Sequence, residues 1–393
     1  MTSKDQWLLP EGIEEVLPPQ AWRLECARRE LLDLFSRWGY EQIMPPLLEY
    51  LESLLTGTGN DLDLQTFKVT DQLTGRMMGL RADMTPQAAR IDAHPLQRSE
   101  PNRLCYMGTV LHTRTDGFGG SRSPLQIGAE LFGHDGVESD VEIISLLLDS
   151  LALLQIADIH IDLGHVGIFR GLAQDAGLTP QQENDLFEAL QRKAVPEIEE
   201  MLSDVADTGA RDRLAALATL NGDRSILETA YQKLAGAGRP VLTALENLDA
   251  IAVKVAQRAG DAVLNFDLAE LRGDRFHPGM VCAVFVPECG KEIARGGRYD
   301  AIGKVFGRSR PATGFSTDLK ELIQLSAREF RDRLGGILAP QAEDETLYAA
   351  MQALRARGER VVAELPGQAG DAASMGCDRL LVDEDGTWVV KPV

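Results

Sequence analysis

Apolar residues at helical spacing mark the first element: Leu24, Ala27, Leu31, Leu34, Phe35 and Trp38 recur three and four residues apart. They predict an amphipathic helix over 20–38, with Gly39 as its stop. EQIMPPLLEY (41–50) reads as a strand, and its prolines put it at an edge or an interface. After turn-rich TGTGND, residues 66–80 read as two short strands around the turn DQLTG. LRADMTPQAARI follows, then two strand-like runs around the glycine-rich loop RTDGFGGSRS, then a helix at about 138–155. DIHIDLG reads as a strand.

From about 167 to 260 the pattern is helical throughout, punctuated by Gly177, Pro180, Pro196, Gly222 and Pro240. Strands resume at AVLNFDLAEL, GMVCAVFVP and ATGFSTDL, with EIARGGRYDAIG as a glycine turn among them. LKELIQLSAREFRDRL reads as a helix. The chain then changes character. ETLYAAMQALRARG predicts a helix, ERVVAEL a strand, and DRLLVDEDGTWVVKP a hairpin turning at Asp-Gly. The expected organisation is a discontinuous core over 1–166 and 261–330, a helical insertion over 167–260, and a small α/β module over 336–393.

Charge narrows the range of functions. The chain has 60 acids against 40 bases, a net charge of −20, which argues against broad nucleic-acid binding by displacement of counterions. Five cysteines, none in a C-x-x-C pair, suggest neither a disulfide framework nor a zinc knuckle, and fit a reducing cytoplasm. MTSKDQWLLPEG has no apolar signal core. The apolar stretch VEIISLLLDSLALLQIADIHI carries Asp149 and Asp158, so it reads as a buried helix leading into a strand, not a membrane span. His94, His134, His160 and His165 are scattered, and read as surface or packed histidines rather than metal ligands. No phosphate-binding P-loop, dinucleotide fingerprint, H-E-x-x-H or G-x-S-x-G is present.

What remains is an ordered series: GYEQIMPPLLE after a long helix, LRADMTPQAAR, YMGTVLHTR, QIGAELFG, LRGDRFHPGMV, GGRYDAIG and TGFSTDLKEL. In this order, over roughly residues 8–325, the chain resembles the class II aminoacyl-tRNA synthetase core, and within it the histidyl-tRNA synthetase family. The resemblance implies an α+β fold, a mixed and mainly antiparallel sheet flanked by helices. It implies a homodimer interface at the first motif, where Pro46 stands.

The same resemblance brings out departures. Its second motif holds ATP with the arginine of Phe-Arg-x-Glu, and those positions are Leu111, His112, Thr113 and Arg114. Its third motif, Gly-Leu-Glu-Arg, is replaced by Asp318, Leu319, Lys320 and Glu321. Losing one preorganised donor costs about 10²–10³ in rate, so adenylation with both arginines absent is expected to be very slow. If residues 112 and 114 share a strand they face one side, and Arg114 could then reach a phosphate. The amino-acid side is better kept. The resemblance maps histidine contacts onto Asp83, Thr85, Gln126, Glu130, Arg272 and Tyr299, although both tyrosines of the family's Arg-Gly-Leu-Asp-Tyr-Tyr are replaced, by Phe276 and His277. Acids for an α-amino group and an arginine for a carboxylate suit an amino acid. The alternative is a buried polar network that only supports the fold.

The module at 336–393 is shorter than the synthetase's anticodon-binding domain, and its LVDEDG is acidic, which weighs against tRNA. A synthetase-like chain with these losses resembles the HisZ family, the regulatory subunits of ATP phosphoribosyltransferase. That resemblance implies no catalytic residue, metal or cofactor of its own. It implies a short-form catalytic subunit (HisG) as partner, a homodimeric core, and L-histidine as effector in the first step of histidine biosynthesis. Two other readings stay open on sequence. One is a divergent histidyl-tRNA synthetase or another ligase that forms an aminoacyl adenylate. The other is a homodimeric synthetase-like module that binds another partner.

Overall fold

The computed structural model describes residues 7–56, 60–115, 120–269, 279–300, 302–330 and 335–393. The chain divides into two compact units, Met1–Glu15 with Ala27–Arg328, and Val16–Cys26 with Glu329–Val393. Helix α1 spans Gln20–Arg37, and its Ala27, Leu31 and Phe35 are fully buried, as their spacing predicts. EQIMPPLLEY is not one strand. It splits into β1 (Glu41–Gln42) and β2 (Leu48–Tyr50), which join different sheets, with Pro45 and Pro46 in the break. The prolines are the cause, since neither can donate to a ladder.

After the short helices α2 (Leu51–Leu54) and α3 (Asn60–Gln65), strands β3 (Phe67–Thr70) and β4 (Met77–Leu80) complete a three-stranded sheet with β2. Helix α4 (Thr85–Ile91) runs into a π-turn at Asp92–Leu96. The buried Asp92 carboxylate there accepts from Asn102 and Arg310, each at 3.0 Å.

The main sheet has nine strands. Besides β1 it contains β5 (Asn102–Thr109), β6 (Leu125–Phe132), β7 (His160–His165), β8 (Asn221–Gly222), β9 (Val263–Asp267), β10 (Met280–Phe285), β11 (Ala294–Arg298) and β12 (Ala312–Asp318). Their spatial order is β1-β5-β6-β12-β11-β10-β7-β9-β8. Among the described residues of this sheet only β1–β5 and β7–β9 pair in parallel, so the sheet is mixed and mainly antiparallel, as expected. Helix α5 (Val137–Leu153) covers one face: Arg298 of β11 reaches Asp140 of α5 at 3.0 Å. On that face Phe35 of α1 also meets Phe315 of β12 edge-on, with ring centroids 6.1 Å apart. The candidate site occupies the opposite face.

The glycine turn expected at EIARGGRYDAIG is strand β11, a correction to the reading of its glycines. A Cβ at Gly296 would come within 2.5 Å of the Gly314 carbonyl oxygen, so close strand packing, not a turn, accounts for that glycine. The helical stretch comprises α6 (Val166–Asp175), α7 (Pro180–Gln191), α8 (Val195–Leu202), α9 (Thr208–Leu217), α10 (Ser225–Lys233) and α11 (Arg239–Ala256). It is not helical throughout, because Asn221–Gly222 pairs with β9 as the sheet's last strand. Pro180, Pro196 and Pro240 stand in the first turns of their helices, where a missing N–H costs nothing. Thr179 and Gln182 form a reciprocal capping box before α7.

The helix expected over 319–334 is shorter: α13 (Leu319–Leu325) follows α12 (Ile302–Val305), ends before Ser326, and residues 331–334 lie outside the described residues. In the second unit β13 (Ile337–Ala339), α14 (Glu345–Ala356), β14 (Val361–Ala363), β15 (Arg379–Glu384) and β16 (Thr387–Pro392) form a four-stranded sheet with one helix. Its core gathers Ile337, Ala339, Leu347, Met351, Val361 and Leu381. The predicted hairpin is present, and Asp385 and Gly386 take φ of 51° and 82°, the left-handed pair that an Asp-Gly turn favours.

Candidate functional site

Strand register builds the site. Tyr106 on β5 lies opposite Gly128 on β6, and Glu130 on β6 lies between Leu104 of β5 and Gly314 of β12. Alternation puts Tyr106, Gln126 and Glu130 on one face of the sheet. Glycine makes room for them. A Cβ on Gly314 would fall 1.6 Å from the Glu130 Oε2, and one on Gly128 would fall 2.5 Å from the Tyr106 hydroxyl. The Glu130 side chain therefore lies across the bare backbone of β12.

Glu130 is 1% exposed. It accepts from the Tyr106 hydroxyl at 2.8 Å and from the Tyr299 hydroxyl. Burial pushes its carboxyl up to about 8, although both tyrosine hydrogen bonds pull the other way. Burial likewise raises both phenols well above their ordinary range, with the nearby Glu130 carboxyl adding to it. The network continues from Tyr106 to the Thr85 hydroxyl at 3.0 Å. Asp83 accepts from the Thr85 N–H at 3.0 Å and from the Gln126 amide at 2.7 Å, and Gln126 accepts from the Met84 N–H at 2.9 Å.

Asp83, Thr85, Gln126, Glu130 and Tyr299 thus come together in one hydrogen-bonded cluster. Arg272, with Phe276 and His277, lies outside the described residues. The pattern missed Tyr106, which bridges Thr85 and Glu130. The available signal was its alternation with Gly108 along LCYMG, but a tyrosine in an apolar strand reads first as core.

The positions compared with ATP contacts are arranged differently. β5 ends at Thr109, but its pairing with the returning arm runs on, the N–H groups of Val110 and His112 donating to the carbonyls of Pro124 and Arg122 at 3.1 and 2.9 Å. The His112 ring lies 2.9 Å from the Ala82 carbonyl oxygen, and Arg114 is exposed. Residues 116–119 of the glycine loop lie outside the described residues. Arg122 donates to the carbonyls of His112 at 3.0 Å and Glu11 at 3.1 Å, and its guanidinium stands 5.2 Å from the Phe67 ring centre. Glu321 pairs with Lys291 at 3.1 Å and accepts from the Cys289 thiol at 3.3 Å. Asp318 caps α13, accepting from the N–H groups of Lys320 and Leu125 at 3.0 Å each. Pro46 is exposed, and its carbonyl accepts from Gln87 at 2.8 Å.

Among the described residues, no group of three or more His, Cys, Asp or Glu is placed to hold a metal ion. Nor is any described helix long and apolar enough to cross a membrane. The cysteines Cys26, Cys105, Cys282, Cys289 and Cys377 are all free thiols.

Comparison with known proteins follows this geometry. The family model for histidyl-tRNA synthetase matches residues 12–322. That for the ATP phosphoribosyltransferase subunit HisZ C-terminal domain matches residues 334–391. Among solved structures, an ATP phosphoribosyltransferase regulatory subunit/histidyl-tRNA synthetase from Bacillus halodurans aligns with a TM-score of 0.81 at 27% identity, covering 94% of this chain and 95% of that one. Histidyl-tRNA synthetase from Nostoc sp. PCC 7120 shares the fold, with a TM-score of 0.76 at 18% identity over 98% of this chain and 97% of its own. The ATP phosphoribosyltransferase regulatory subunit of Thioalkalivibrio sulfidiphilus is 60% identical over 99% of both chains. That of Alkalilimnicola ehrlichii is 58% identical over 100% of this chain and 98% of its own. With relatives this similar along its whole length, the chain belongs to the ATP phosphoribosyltransferase regulatory subunits, non-catalytic members of the histidyl-tRNA synthetase fold that serve histidine biosynthesis.

Proposed function

We propose that this chain assembles with the short-form catalytic subunit (HisG), raises its rate, and transmits inhibition by L-histidine bound in the Glu130 cluster. One observation carries the reading. The cluster of Asp83, Thr85, Gln126, Glu130 and Tyr299 is hydrogen-bonded together from β6, the start of α4 and the residue after β11, with Gly314 making room for Glu130, whereas His112 and Glu321 are engaged with other protein groups. A buried, prearranged cluster suits a small polar guest. A phosphate-binding surface without its arginines does not suit ATP.

The effect on the partner is a coupling free energy, and it is reciprocal. If the catalytic subunit changes histidine affinity by some factor, histidine changes assembly by that same factor. We take the core, the helical insertion and the C-terminal module as separate structural parts, with the boundaries expected from sequence. We also place a homodimer contact around Pro46, where Met44 is 81% exposed and Leu47 and Leu48 are exposed beside it. Free thiols and the absence of a membrane-spanning helix among the described residues fit a cytoplasmic complex.

The test is to add this chain to a short-form phosphoribosyltransferase and to measure its rate with and without histidine. A higher rate that histidine lowers supports the reading, and an unchanged rate overturns it. Calorimetry with histidine, on the chain alone and with its partner, tests the sensor. Binding in neither state removes that role.

A further inference from the structure

The face of the main sheet opposite the Glu130 cluster has a cavity beside it. Cys282 lies opposite Gly296 and Met280 opposite His165, so alternation puts His165 on the α5 face together with Arg298. Helices α6 and α11 run antiparallel there. Asp175 accepts from the Gly238 N–H at 2.6 Å, and a Cβ on Gly171 would fall 2.6 Å from the Val241 side chain. Where α6 begins, the two helices leave an open cavity of about 490 Å³. His165 and Gly167 line it from one helix, and Arg239, Thr243 and Asn247 from the other. Its size is that of small-molecule sites.

His165 is 7% exposed. Its Nδ1 accepts from the Gly167 N–H at 3.1 Å and so caps α6. A backbone N–H only donates, so Nδ1 carries no proton and the neutral ring bears it on Nε2. Burial, and then the Arg298 guanidinium, push the ring down to about 4, which keeps it neutral near pH 7. The Nε2–H has no acceptor among the described residues. The first turn of α6 holds no acid, whereas Asp175 already sits at the start of α11. A helix start favours an anion. Thr243 and Asn247 are four residues apart and share one side of α11. The Arg239 guanidinium, paired with exposed Glu246 at 3.2 Å, stands at the rim.

We infer that this cavity binds a small molecule by an oxyanion, phosphate or carboxylate, held by the Nε2–H of His165 with Thr243 and Asn247 beside it at the start of α6. The guest must accept from a proton fixed on Nε2 and must sit at the positive end of a helix, which selects an anion. The Glu130 cluster occupies the other face of the sheet, so the two sites stand or fall separately.

The experiment is calorimetry on the full chain with inorganic phosphate and with acetate, beside a thermal melt. The wild type should bind at least one of them, and its preference tells phosphate from carboxylate. His165→Asn keeps an acceptor for the Gly167 N–H but places no donor where Nε2 stands. It should weaken the anion about 10–100-fold, the loss of one hydrogen bond to a charge, and melt as the wild type does. His165→Gln does the reverse, since its amide reaches the place of Nε2 while the cap is lost. It should keep most of the binding and melt lower. Thr243→Trp fills the cavity from an exposed position, and should abolish binding without lowering the melt. A wild type that binds neither anion overturns the inference. So does binding that survives both His165→Asn and Thr243→Trp, because the ion then sits elsewhere. Binding kept in His165→Asn and lost in His165→Gln also overturns it, and leaves His165 as a helix cap alone.

Discussion

The Glu130 cluster and the positions compared with ATP contacts belong to the same unit, yet they use polar residues in opposite ways. Around Glu130, hydroxyls and amides converge on buried acceptors, and Gly128 and Gly314 leave space for them. Around His112 and Glu321, the side chains are spent on local structure: a backbone carbonyl, a lysine and a thiol. The cleared space is taken by Glu130 and Tyr106 themselves, and the proposed function places its guest against this converging network. Under the same proposal, groups tied to their immediate neighbours are no longer available to a ligand.

The sharpest way to break the contrast is histidine-dependent exchange of pyrophosphate into ATP. We expect a rate about 10⁴-fold or more below that of a histidyl-tRNA synthetase, since each lost donor costs roughly 10²–10³. Robust exchange would show that the altered positions still handle ATP.

Next in size is Gly314→Ala. The new methyl would occupy the place of the Glu130 carboxylate, so the side chain must leave its two tyrosines. Overpacking of this kind costs about 1–3 kcal/mol, and histidine affinity should fall by at least an order of magnitude. A thermal melt and a titration measure the two effects. Unchanged affinity would separate the cluster from any ligand.

Glu130→Gln probes charge at nearly constant shape. A carboxyl raised from 4.5 to about 8 binds its proton more tightly when folded than when unfolded. Its contribution to stability is complete below about 4.5 and is lost as pH rises towards 8. Glutamine does not titrate, so the difference in melting temperature between the wild type and the variant should change across that window. Parallel melting curves from pH 5 to 8 would show that the carboxyl is not perturbed.

The smallest effect belongs to Lys291→Ala. Its ammonium is half exposed beside Glu321, and such pairs contribute about 0–1 kcal/mol. Stability and histidine binding should both stay near those of the wild type. A large loss would mean that the Lys291–Glu321 side supports the cluster.

Much of the fold was legible in particular residues. Leu31 and Phe35 declare the buried stripe of the first helix, and Asp385-Gly386 declares the last hairpin. Resemblance named Glu130 and Gln126, but it could not supply Tyr106, because a tyrosine in an apolar strand looks like ordinary core. The glycines of β11 misled because glycine breaks elements in sequence statistics, whereas here it admits a neighbouring strand's carbonyl. Likewise, nothing local in VLHTR shows that the regular strand ends at Thr109 while single backbone hydrogen bonds to the opposite arm continue to His112.

The raised Glu130 carboxyl has a calorimetric consequence. At neutral pH it holds a proton that a cationic guest would displace. Binding would then release protons to the solution, and the measured heat would depend on the ionisation enthalpy of the buffer. Titrations in phosphate and in Tris would give different enthalpies for one affinity, and the difference would count the protons set free.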